Sequence, residues 1–384
     1  MTLDVSIVTG TRADWSLLRP LARALRDHPG FRLSIVATGS HLVERFGRTV
    51  DDVRRDGFEV THELPILDEV DDRAATTRAV ARAVSGFSET LAAAPPDLVI
   101  VLGDRYEILG IVEAAVLMGV PVAHLCGGDV TEGAFDDSLR HAISKLAHLH
   151  FPSNEEAARR LLAMGEAPER IVTAGSTGLD NLHQTPTLSR QETFEALGLE
   201  VSDTLILVTF HPPTLSDVPA EDQFAELAAA LDALPEDVAV VLTGSNADPA
   251  GRRLTDLAET YARGRPRTVF RVSLGGLYPS VMRQARAVVG NSSSGLYEAP
   301  SFGIATVDIG DRQKGRLKAS SVIGAPPRRD AVSSAIREAL AGDFRDTVNP
   351  YGDGHAVERI VARLETIDDP RSLLVKTFHM VGTS

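Results

Sequence analysis

Short runs of apolar, mostly β-branched residues alternate along the chain with longer stretches in which apolar residues recur with a helical period. In the first half the strand candidates are VSIVTG, RLSIVAT, DLVIVLG, VPVAHLC, HLHF and RIVTAG, and the helix candidates span residues 14–27, 73–93 and 105–118. Strands that are apolar throughout and separated by helices are typical of a parallel sheet covered on both faces. The pattern therefore predicts an α/β fold.

The alternation is interrupted at residues 183–190, a polar stretch containing Pro186 that suits a linker. A second series follows, with TLILVTF, DVAVVLTG, TVFRV, ARAVVGN and IATVDIG as strand candidates. We therefore expect two Rossmann-like, doubly wound domains, residues 1–183 and 184–365, with a ligand-binding cleft between them. A helix over residues 366–384 is expected to pack back on the first domain.

Composition narrows the possible functions. The 384 residues are 43% apolar and 24% charged, which is typical of a globular protein. A net charge of −14 disfavours a nucleic-acid surface. The N-terminus does not read as a signal peptide, and the most apolar segment, residues 111–126, is too short to span a bilayer. Cys126 is the only cysteine, which excludes intramolecular disulfides. We expect a soluble cytoplasmic protein with neither nucleic-acid nor membrane partners.

Polar and glycine residues follow the predicted strands, at the edge where parallel sheets bind ligands. TRAD ends at Asp14, DRYE begins at Asp104, HPPT begins at His211 and SNAD contains Asn246. Asp14 or Asp104 alone would more often be a helix cap than a catalytic group. The recurrence of such loops in both halves nevertheless favours a ligand-binding site.

The stretch NSSSGLYEAP follows a predicted strand and opens a predicted helix. Free backbone N–H groups and serine hydroxyls at a helix start can bind phosphate oxygens. Glu298, further along, can accept hydrogen bonds from ribose hydroxyls. The same residues are equally consistent with a structural role, in which a serine is the N-cap and this glutamate bonds back to the start of the helix. The candidate phosphate ligands are Ser292, Ser293, Ser294 and Gly295.

Three cations follow the next strand in GDRQKGR, beginning with Arg312. Guanidinium groups bind phosphate oxygens in pairs. We call residues 291–295, NSSSG, the serine loop. In an acidic chain, cations that follow the serine loop favour a diphosphate site there, although a solvated surface loop is the alternative.

The stretch GGDVTEGAFDDSLRHAISKLAHLHF concentrates titratable groups. Asp136 and Asp137 precede a predicted helix that carries Arg140 and His141, and one of the two acids is expected to be its N-cap. No HExxH or HxxxH pairing supports a metal site. Crowded carboxylates shift each other's pKa values apart, which suits acid–base catalysis.

These motifs together resemble the UDP-N-acetylglucosamine 2-epimerase family, which has the two-Rossmann-domain fold of GT-B glycosyltransferases. The resemblance runs from TGTRADWSLL through GDRYE, FHPPT and NSSSGLYEAPS to DIGDRQKGR and covers nearly the whole chain. GGDxTxGAxDDxxRH is similar to the hydrolysing branch, which releases UDP and N-acetylmannosamine on the way to sialic and related nonulosonic acids. The resemblance implies elimination of UDP to a glycal and addition of water, without cofactor or metal, in a homodimer or homotetramer.

The resemblance also implies roles for individual residues. Asp104, Asp136, Asp137 and His211 match catalytic positions, and Ser292, Ser293, Glu298 and Arg312 match contacts with UDP. Arg12, Asp14, Ser16 and His41 match residues at the sugar and phosphate end of the cleft. The expected substrate-binding set is completed by Arg105, Arg140, Asn246, Ser294 and Gly295.

The chain departs from the family at one position. Relatives often carry a catalytic glutamate two residues after the histidine that His124 matches, and here that position is Cys126. A neutral thiol cannot replace a carboxylate as proton acceptor at its usual pKa. We expect Asp129 to take over this role, unless the chemistry or the substrate differs.

Several alternatives remain open. A hydrolysing epimerase can act on a 2,4-diacetamido or a GDP-linked sugar, because residues that would recognise the base or the sugar's C4 and C6 are not legible in the sequence. A non-hydrolysing epimerase, a glycosyltransferase and an inactive sugar-nucleotide sensor also fit the same architecture.

Overall fold

The computed structural model describes residues 2–68, 72–131, 135–213, 218–245 and 249–380. The chain forms two compact units. Unit 1 comprises Met1–Asn181 and Tyr351–Ser384, and unit 2 comprises Leu182–Pro350.

Unit 1 contains a six-stranded, all-parallel sheet. Its strands are β1 (Leu3–Thr9), β2 (Phe31–Thr38), β3 (His62–Leu64), β4 (Leu98–Leu102), β5 (Val122–Leu125) and β6 (Leu149–Phe151). They lie in the order β3-β2-β1-β4-β5-β6, so the winding reverses between β1 and β4. The helices between these strands are α1 (Arg12–Asp27), α2 (Val50–Arg55), α3 (Arg73–Ala93), α4 (Tyr106–Leu117) and α5 (Asp136–Leu146). After β6 come α6 (Glu155–Ala163) and α7 (Thr177–Gln184), and α7 runs across the boundary between the two units.

Successive strand residues enter opposite faces of this sheet, and both faces are covered. Ile7 of β1 packs in one core with Leu18 of α1, whereas the next residue, Val8, packs in the other core with Phe87 of α3 and Ile111 of α4. Both positions are apolar because helices cover both sides, which explains why these strands read as continuous apolar runs.

Unit 2 repeats the same winding in a second all-parallel sheet. Its strands are β7 (Leu205–Thr209), β8 (Ala239–Thr243), β9 (Thr268–Arg271), β10 (Ala287–Gly290), β11 (Ala305–Ile309) and β12 (Val322–Ala325), ordered β12-β11-β10-β7-β8-β9. Its helices are α8 (Arg190–Leu197), α9 (Ala220–Leu231), α10 (Pro249–Arg263), α11 (Tyr278–Gln284), α12 (Ser294–Tyr297) and α13 (Arg329–Ala341). The winding reverses between β7 and β10.

The chain then returns to unit 1. Helix α14 (Ala356–Glu365) packs against α1, and its Ile360 is part of the core that contains Leu18. Thus the return begins at Tyr351 and not at residue 366. The expected helix over residues 366–384 is also wrong for the described residues up to 380, where the only helical segment is a 3-10 turn, Pro370–Leu374.

The buried carboxylate of Glu166 holds the C-terminal segment against unit 1. Glu166 accepts hydrogen bonds from His150 Nε2 at 2.9 Å and Lys145 Nζ at 2.7 Å, and Lys376 Nζ lies 2.7 Å from its second oxygen. Burial opposes ionisation, but the His150 bond and the two ammonium groups lower the pKa of Glu166 to about 2. One anion thereby joins α5, β6 and the C-terminal segment.

Two features of the sheets differ from the predictions. RIVTAG forms no strand, and its Ile171 makes only an isolated bridge to His150. β3 and β12 had no strand prediction, and both lie at sheet edges. Within the described ranges no helix is both long and apolar enough to cross a membrane.

Candidate functional site

The loop after β1 is held by Asp14, a buried residue in the first turn of α1. Its carboxylate accepts hydrogen bonds from the backbone N–H of Gly10 at 2.8 Å and of Thr11 at 2.7 Å, and from the Thr11 hydroxyl. Thr11 caps the helix in return, which completes a capping box. The structure therefore gives Asp14 a capping role at the edge where β1 ends.

Three further predicted residues lie near the same edge. His41 is fully buried; its Nε2 lies 3.0 Å from Thr9 Oγ1 and its Nδ1 lies 2.8 Å from Thr49 Oγ1. Burial lowers the pKa of His41, and the ring links the loop after β2 to β1. Arg12 and Ser16 are exposed on the first turns of α1.

A buried acid that was not predicted lies behind this loop. Glu107, at the start of α4, has no solvent exposure and pairs with Arg105. Burial raises the pKa of Glu107, and Arg105 partly offsets that effect. A β-carbon on Gly10 would lie 2.9 Å from Glu107 Oε1, so a larger residue there would displace the glutamate side chain. In the sequence, Glu107 is only one residue of the polar stretch DRYE.

Arg140 contacts three acidic residues that follow β4 and β5 in the chain. Its guanidinium forms an ion pair with Asp104 and lies 3.6 Å from Asp137. It also donates to the Asp129 carbonyl at 2.9 Å and the Thr131 hydroxyl at 3.0 Å. Only 9% of its side chain is exposed, and a buried cation is stable when it is paired in this way.

Asp136 and Asp137 form the first turn of α5, whose N-cap is Phe135. The expectation that one of these acids is the N-cap is therefore wrong, although both lie where the helix dipole stabilises negative charge. Burial, followed by the charge of Asp104, raises the pKa of Asp136. His141 Nε2 lies 3.5 Å from Asp137.

Asp129 has a different environment. Its carboxylate accepts from Ser153 Oγ at 2.9 Å and Asn154 Nδ2 at 2.8 Å, and Asn154 is the N-cap of α6. Burial raises the pKa of Asp129, while these two bonds oppose the shift. The carboxylate therefore anchors the start of α6, and Asp129 reaches Arg140 through its backbone carbonyl.

Cys126 and His124 lie at the end of β5. Cys126 has a φ of 60°, in the left-handed region. Burial, followed by the charge of Asp129, raises the pKa of its thiol to about 12. His124 is fully buried, with Nε2 2.7 Å from the Gly103 carbonyl and Nδ1 3.1 Å from Ser144 Oγ. Burial lowers the pKa of His124 to about 3, so the ring is neutral.

At the corresponding edge of unit 2, the side-chain amide of Asn291 makes two hydrogen bonds to the backbone of His211. The His211 N–H donates to Asn291 Oδ1 at 2.7 Å, and Asn291 Nδ2 donates to the His211 carbonyl at 2.8 Å. These bonds join the ends of β7 and β10. His211 Nδ1 lies 3.1 Å from Ser245 Oγ, and the ring is half-buried.

The serine loop follows β10, but the helix that it opens is one turn long, α12. The predicted helix is therefore present, but as a single turn. Ser292 Oγ accepts from the Ser294 N–H at 3.4 Å and the Ser294 hydroxyl at 3.1 Å. Ser293 is half-buried at the N-cap, and Gly295 is buried.

Glu298 closes α12 and accepts a hydrogen bond from the Tyr278 hydroxyl. Burial raises the pKa of Glu298, and the Tyr278 bond opposes the shift. Arg312 Nη1 donates to the Asn291 carbonyl at 3.1 Å. Thus the structure groups His211, Asn291, the serine loop and Arg312 at one edge of unit 2.

Two further predictions concern this site. Asn246 lies outside the described residues. Among the residues that the structure describes, no group of three or more histidine, cysteine or acidic side chains is arranged to hold a metal ion.

Comparison with known proteins identifies similar chains. The family model for UDP-N-acetylglucosamine 2-epimerase matches residues 23–365. GDP/UDP-N,N'-diacetylbacillosamine 2-epimerase (hydrolyzing) of Campylobacter jejuni is 37% identical over 83% of each chain. UDP-N,N'-diacetylbacillosamine 2-epimerase (hydrolyzing) of Legionella pneumophila is 32% identical over 96% of this chain and 97% of its own. The crystal structure of UDP-GlcNAc 2-epimerase from Neisseria meningitidis bound to UDP-GlcNAc is 17% identical, covers 94% of this chain and 100% of its own, and gives a TM-score of 0.74.

Proposed function

The chain belongs to the UDP-N-acetylglucosamine 2-epimerase family, and we propose from this premise that it is a hydrolysing 2-epimerase of a nucleotide-linked 2-acetamido sugar. The observation that carries the proposal is the cluster around Arg140, where Asp104 and Asp137 are paired with one buried guanidinium beside Asp136. The names of the two hydrolysing relatives support the same reaction.

We propose that Asp136 handles the proton at C2. A carboxyl group whose pKa is raised by burial and by a neighbouring charge binds a proton more readily than an ordinary aspartate, as a general base requires. Asp136 removes the C2 proton while the bond between C1 and the diphosphate oxygen breaks. The electron pair leaves with UDP, and a glycal with a C1–C2 double bond remains.

Asp104 and Arg140 have electrostatic roles in this scheme. Asp104 forms an ion pair with Arg140, and its carboxylate can stabilise positive charge that develops near C1. Water then adds to C1 of the glycal, and a proton is delivered to C2 on the opposite face. The sum of the two steps is sugar nucleotide plus water giving UDP and the free 2-epimer.

We assign the binding of UDP to unit 2. The serine loop supplies hydroxyl and N–H donors, and Arg312 supplies a cation for the charge that the leaving diphosphate gains. Glu298 is assigned to the ribose hydroxyls. No step calls for a cofactor or a metal, and the proposed setting is the cytoplasm, with two or four copies of the chain assembled.

Two sugars are candidate substrates. The relatives from Campylobacter jejuni and Legionella pneumophila carry names that specify N,N'-diacetylbacillosamine, which has acetamido groups at C2 and C4. A further relative, from Neisseria meningitidis and 30% identical, is a UDP-N-acetylglucosamine 2-epimerase. Both substrates have the C2 acetamido group and the anomeric diphosphate that the reaction needs.

Incubation in heavy water tests the proposal. The protein is mixed with each UDP-sugar, and ³¹P and ¹H spectra are followed. Free UDP together with a 2-deuterated free sugar is expected for at least one of them. Deuterium in a sugar that is still attached to UDP would instead identify a non-hydrolysing epimerase, and two unchanged sugar nucleotides would refute the proposal.

A further inference from the structure

The proposed reaction contains a second proton transfer that has no residue assigned to it. Asp136 removes the proton from C2, and the inverted product requires that another proton then reach C2 from the opposite face of the sugar. Because a group that removes the first proton lies on one face, a different group must supply the second. The site therefore needs a further proton donor.

Three groups at this edge of unit 1 do not suit that transfer. The Asp129 carboxylate accepts two hydrogen bonds from the loop before α6 and anchors that loop. His124 has both ring nitrogens within hydrogen-bond distance of protein oxygens and is fully buried. Burial, followed by the charge of Asp129, raises the pKa of the Cys126 thiol to about 12, so the thiol is too weak an acid near neutral pH.

Asp137 is better placed. Its Oδ1 accepts a hydrogen bond from the Thr131 N–H at 2.7 Å and lies 3.6 Å from Nη1 of Arg140, the residue that also pairs with Asp104. Its side chain is 28% exposed, so a substrate can reach it. Successive residues of an α-helix project about 100° apart, so Asp137 points in a different direction from Asp136.

His141 is the group from which Asp137 can take a proton. It lies one turn further along α5, and its Nε2 is 3.5 Å from Asp137 Oδ2, a distance typical of a catalytic contact before substrate binds. Its side chain is 31% exposed, so the ring can exchange protons with water. Imidazole gains and loses a proton near neutral pH more readily than other side chains do.

The second ring nitrogen of His141 argues against a purely structural role. His141 Nδ1 is buried and has no hydrogen-bond partner among the residues that the structure describes. A buried polar atom is normally hydrogen-bonded, as both ring nitrogens of His124 are. The ring is therefore not held by a complete set of hydrogen bonds, and its Nε2 faces the acid that the reaction needs.

We infer that His141 and Asp137 form the relay that delivers the second proton, with Asp137 as the catalytic acid and His141 as the positioning residue that supplies it. The protonated imidazole gives its Nε2 proton to Asp137 Oδ2. The carboxyl group then gives this proton to C2, where the π electrons of the glycal form the new C–H bond, while the oxygen of water bonds to C1. The water loses one proton to solvent and the imidazole takes one up, so the protons balance. The inference rests on the proposed function.

The test measures elimination and hydration separately. The protein, in excess, is mixed with UDP-N-acetylglucosamine or UDP-N,N'-diacetylbacillosamine for a single turnover. ³¹P spectra report UDP release, and ¹H spectra distinguish the glycal from the free 2-epimer. The variants are His141→Gln, Asp137→Asn and the double variant, and His141→Asn replaces His141→Gln if hydrogen exchange shows that the latter does not fold.

His28→Gln is the matched control. His28 is 34% exposed, close to the exposure of His141, and its Nε2 lies 3.1 Å from the Glu365 carboxylate. It follows the carboxyl end of α1, whereas the site lies at the amino end of that helix. The control therefore removes a similar histidine–carboxylate pair away from the reaction centre.

For His141→Gln we expect UDP release within about threefold of the parent and hydration about 100-fold slower, so that the glycal accumulates. The double variant should match Asp137→Asn, because a residue that acts only through Asp137 adds nothing once that residue is changed. His28→Gln should resemble the parent in both steps.

Two results with His141→Gln would overturn the inference while the hydrolysing reaction stands: equal losses in the two steps, or an unchanged rate of hydration. The second is what an ordinary pair on a helix surface predicts. Additive losses in the double variant would also overturn it. A parent that releases UDP from neither sugar would refute the proposed function itself.

Discussion

The two units wind six parallel strands in the same order, yet they stabilise the ends of their central strands differently. In unit 1 the edge is built from ionisable groups: His41, His124 and Glu107 are fully buried, and Arg140 pairs with Asp104 and donates to the Asp129 carbonyl. In unit 2 the side-chain amide of Asn291 makes two hydrogen bonds to the backbone of His211, and the backbone of Gly290 lies close to that of Thr209. The comparison indicates that unit 1 is the more sensitive to charge and pH, and unit 2 to steric change.

Asp104→Asn is expected to have the largest effect. Loss of the carboxylate beside Arg140 should lower kcat by about 10³ or more, whereas the Kd for UDP should change by no more than about threefold, because UDP is assigned to unit 2. Deuterium incorporation and calorimetric UDP binding measure the two quantities. Asp97→Asn, just before the opposite end of β4, is the control. Near-normal turnover of Asp104→Asn would remove this residue from the mechanism.

Gly290→Ala tests the sensitivity of unit 2 to steric change. Gly290 has a φ of 140°, and a β-carbon there would overlap the Thr209 carbonyl oxygen. We expect a loss of about 3 kcal/mol or more in the free energy of unfolding of unit 2. Hydrogen exchange resolved by unit measures this, with Gly324→Ala on β12 as the control because open space surrounds that position. Equal stability of the two variants would contradict the account of β7–β10 packing.

Glu298→Ala tests whether UDP binding and catalysis depend on different residues. We expect the Kd for UDP to rise about tenfold, with kcat at saturating substrate within about threefold of the parent. Tyr278→Phe removes only the hydroxyl that bonds Glu298, so a smaller increase in Kd is expected. If Glu298→Ala lowered kcat and left UDP binding intact, the assignment of Glu298 to the ribose would be wrong.

Acid is expected to affect unit 1 first. Burial, with a smaller contribution from Lys376, lowers the pKa of His148 to about 4, and burial lowers that of His124 to about 3. The unfolded chain takes up these protons near pH 6.5, whereas the folded unit resists them until lower pH. Stability present above pH 6.5 is therefore lost as the pH falls towards 4, by about 1 kcal/mol or more.

Unit 2 provides the internal reference for this pH effect. Its two histidines are His183, which is exposed, and His211, which is half-buried. Hydrogen exchange at pH 7 and pH 5 should show the loss in unit 1 alone, and His148→Asn, which keeps an acceptor for the Val122 N–H, should reduce it. Parallel losses in both units would contradict the comparison.

The apolar pattern predicted most of the fold because its signal is strongest in buried strands. The predicted helix over 73–93 is confirmed as α3, and ten strands match predicted runs, although β1 and β2 begin two residues and one residue before theirs. β3 reads HEL and lies at an edge, where few apolar contacts constrain the sequence, so no pattern marks it. RIVTAG has an apolar run, but only Ile171 makes a bridge, to β6.

Candidate site residues could be named where polar residues follow a strand or crowd together, but not where a role depends on three-dimensional contacts. Asp104 follows a predicted strand, Asp136 and Asp137 lie in a stretch rich in titratable groups, and the family resemblance matches all three to catalytic positions. The buried partners Glu107 and His124 could not be assigned roles, since one acid in a polar loop and one histidine in an apolar strand carry no signal of what they touch. Their contacts with Arg105 and Gly103 come from the packing of β1, β4 and β5.

The return of the chain to unit 1 has a consequence for biosynthesis. Translation delivers residues 182–350 as one uninterrupted block, so unit 2 has its whole sequence before residue 351 is added. Unit 1, although its larger segment is made earlier, lacks α14 and the Lys376 partner of Glu166 until residues 356–376 have been translated. On the ribosome the later half can therefore reach its native state before the earlier one, the reverse of the usual vectorial order.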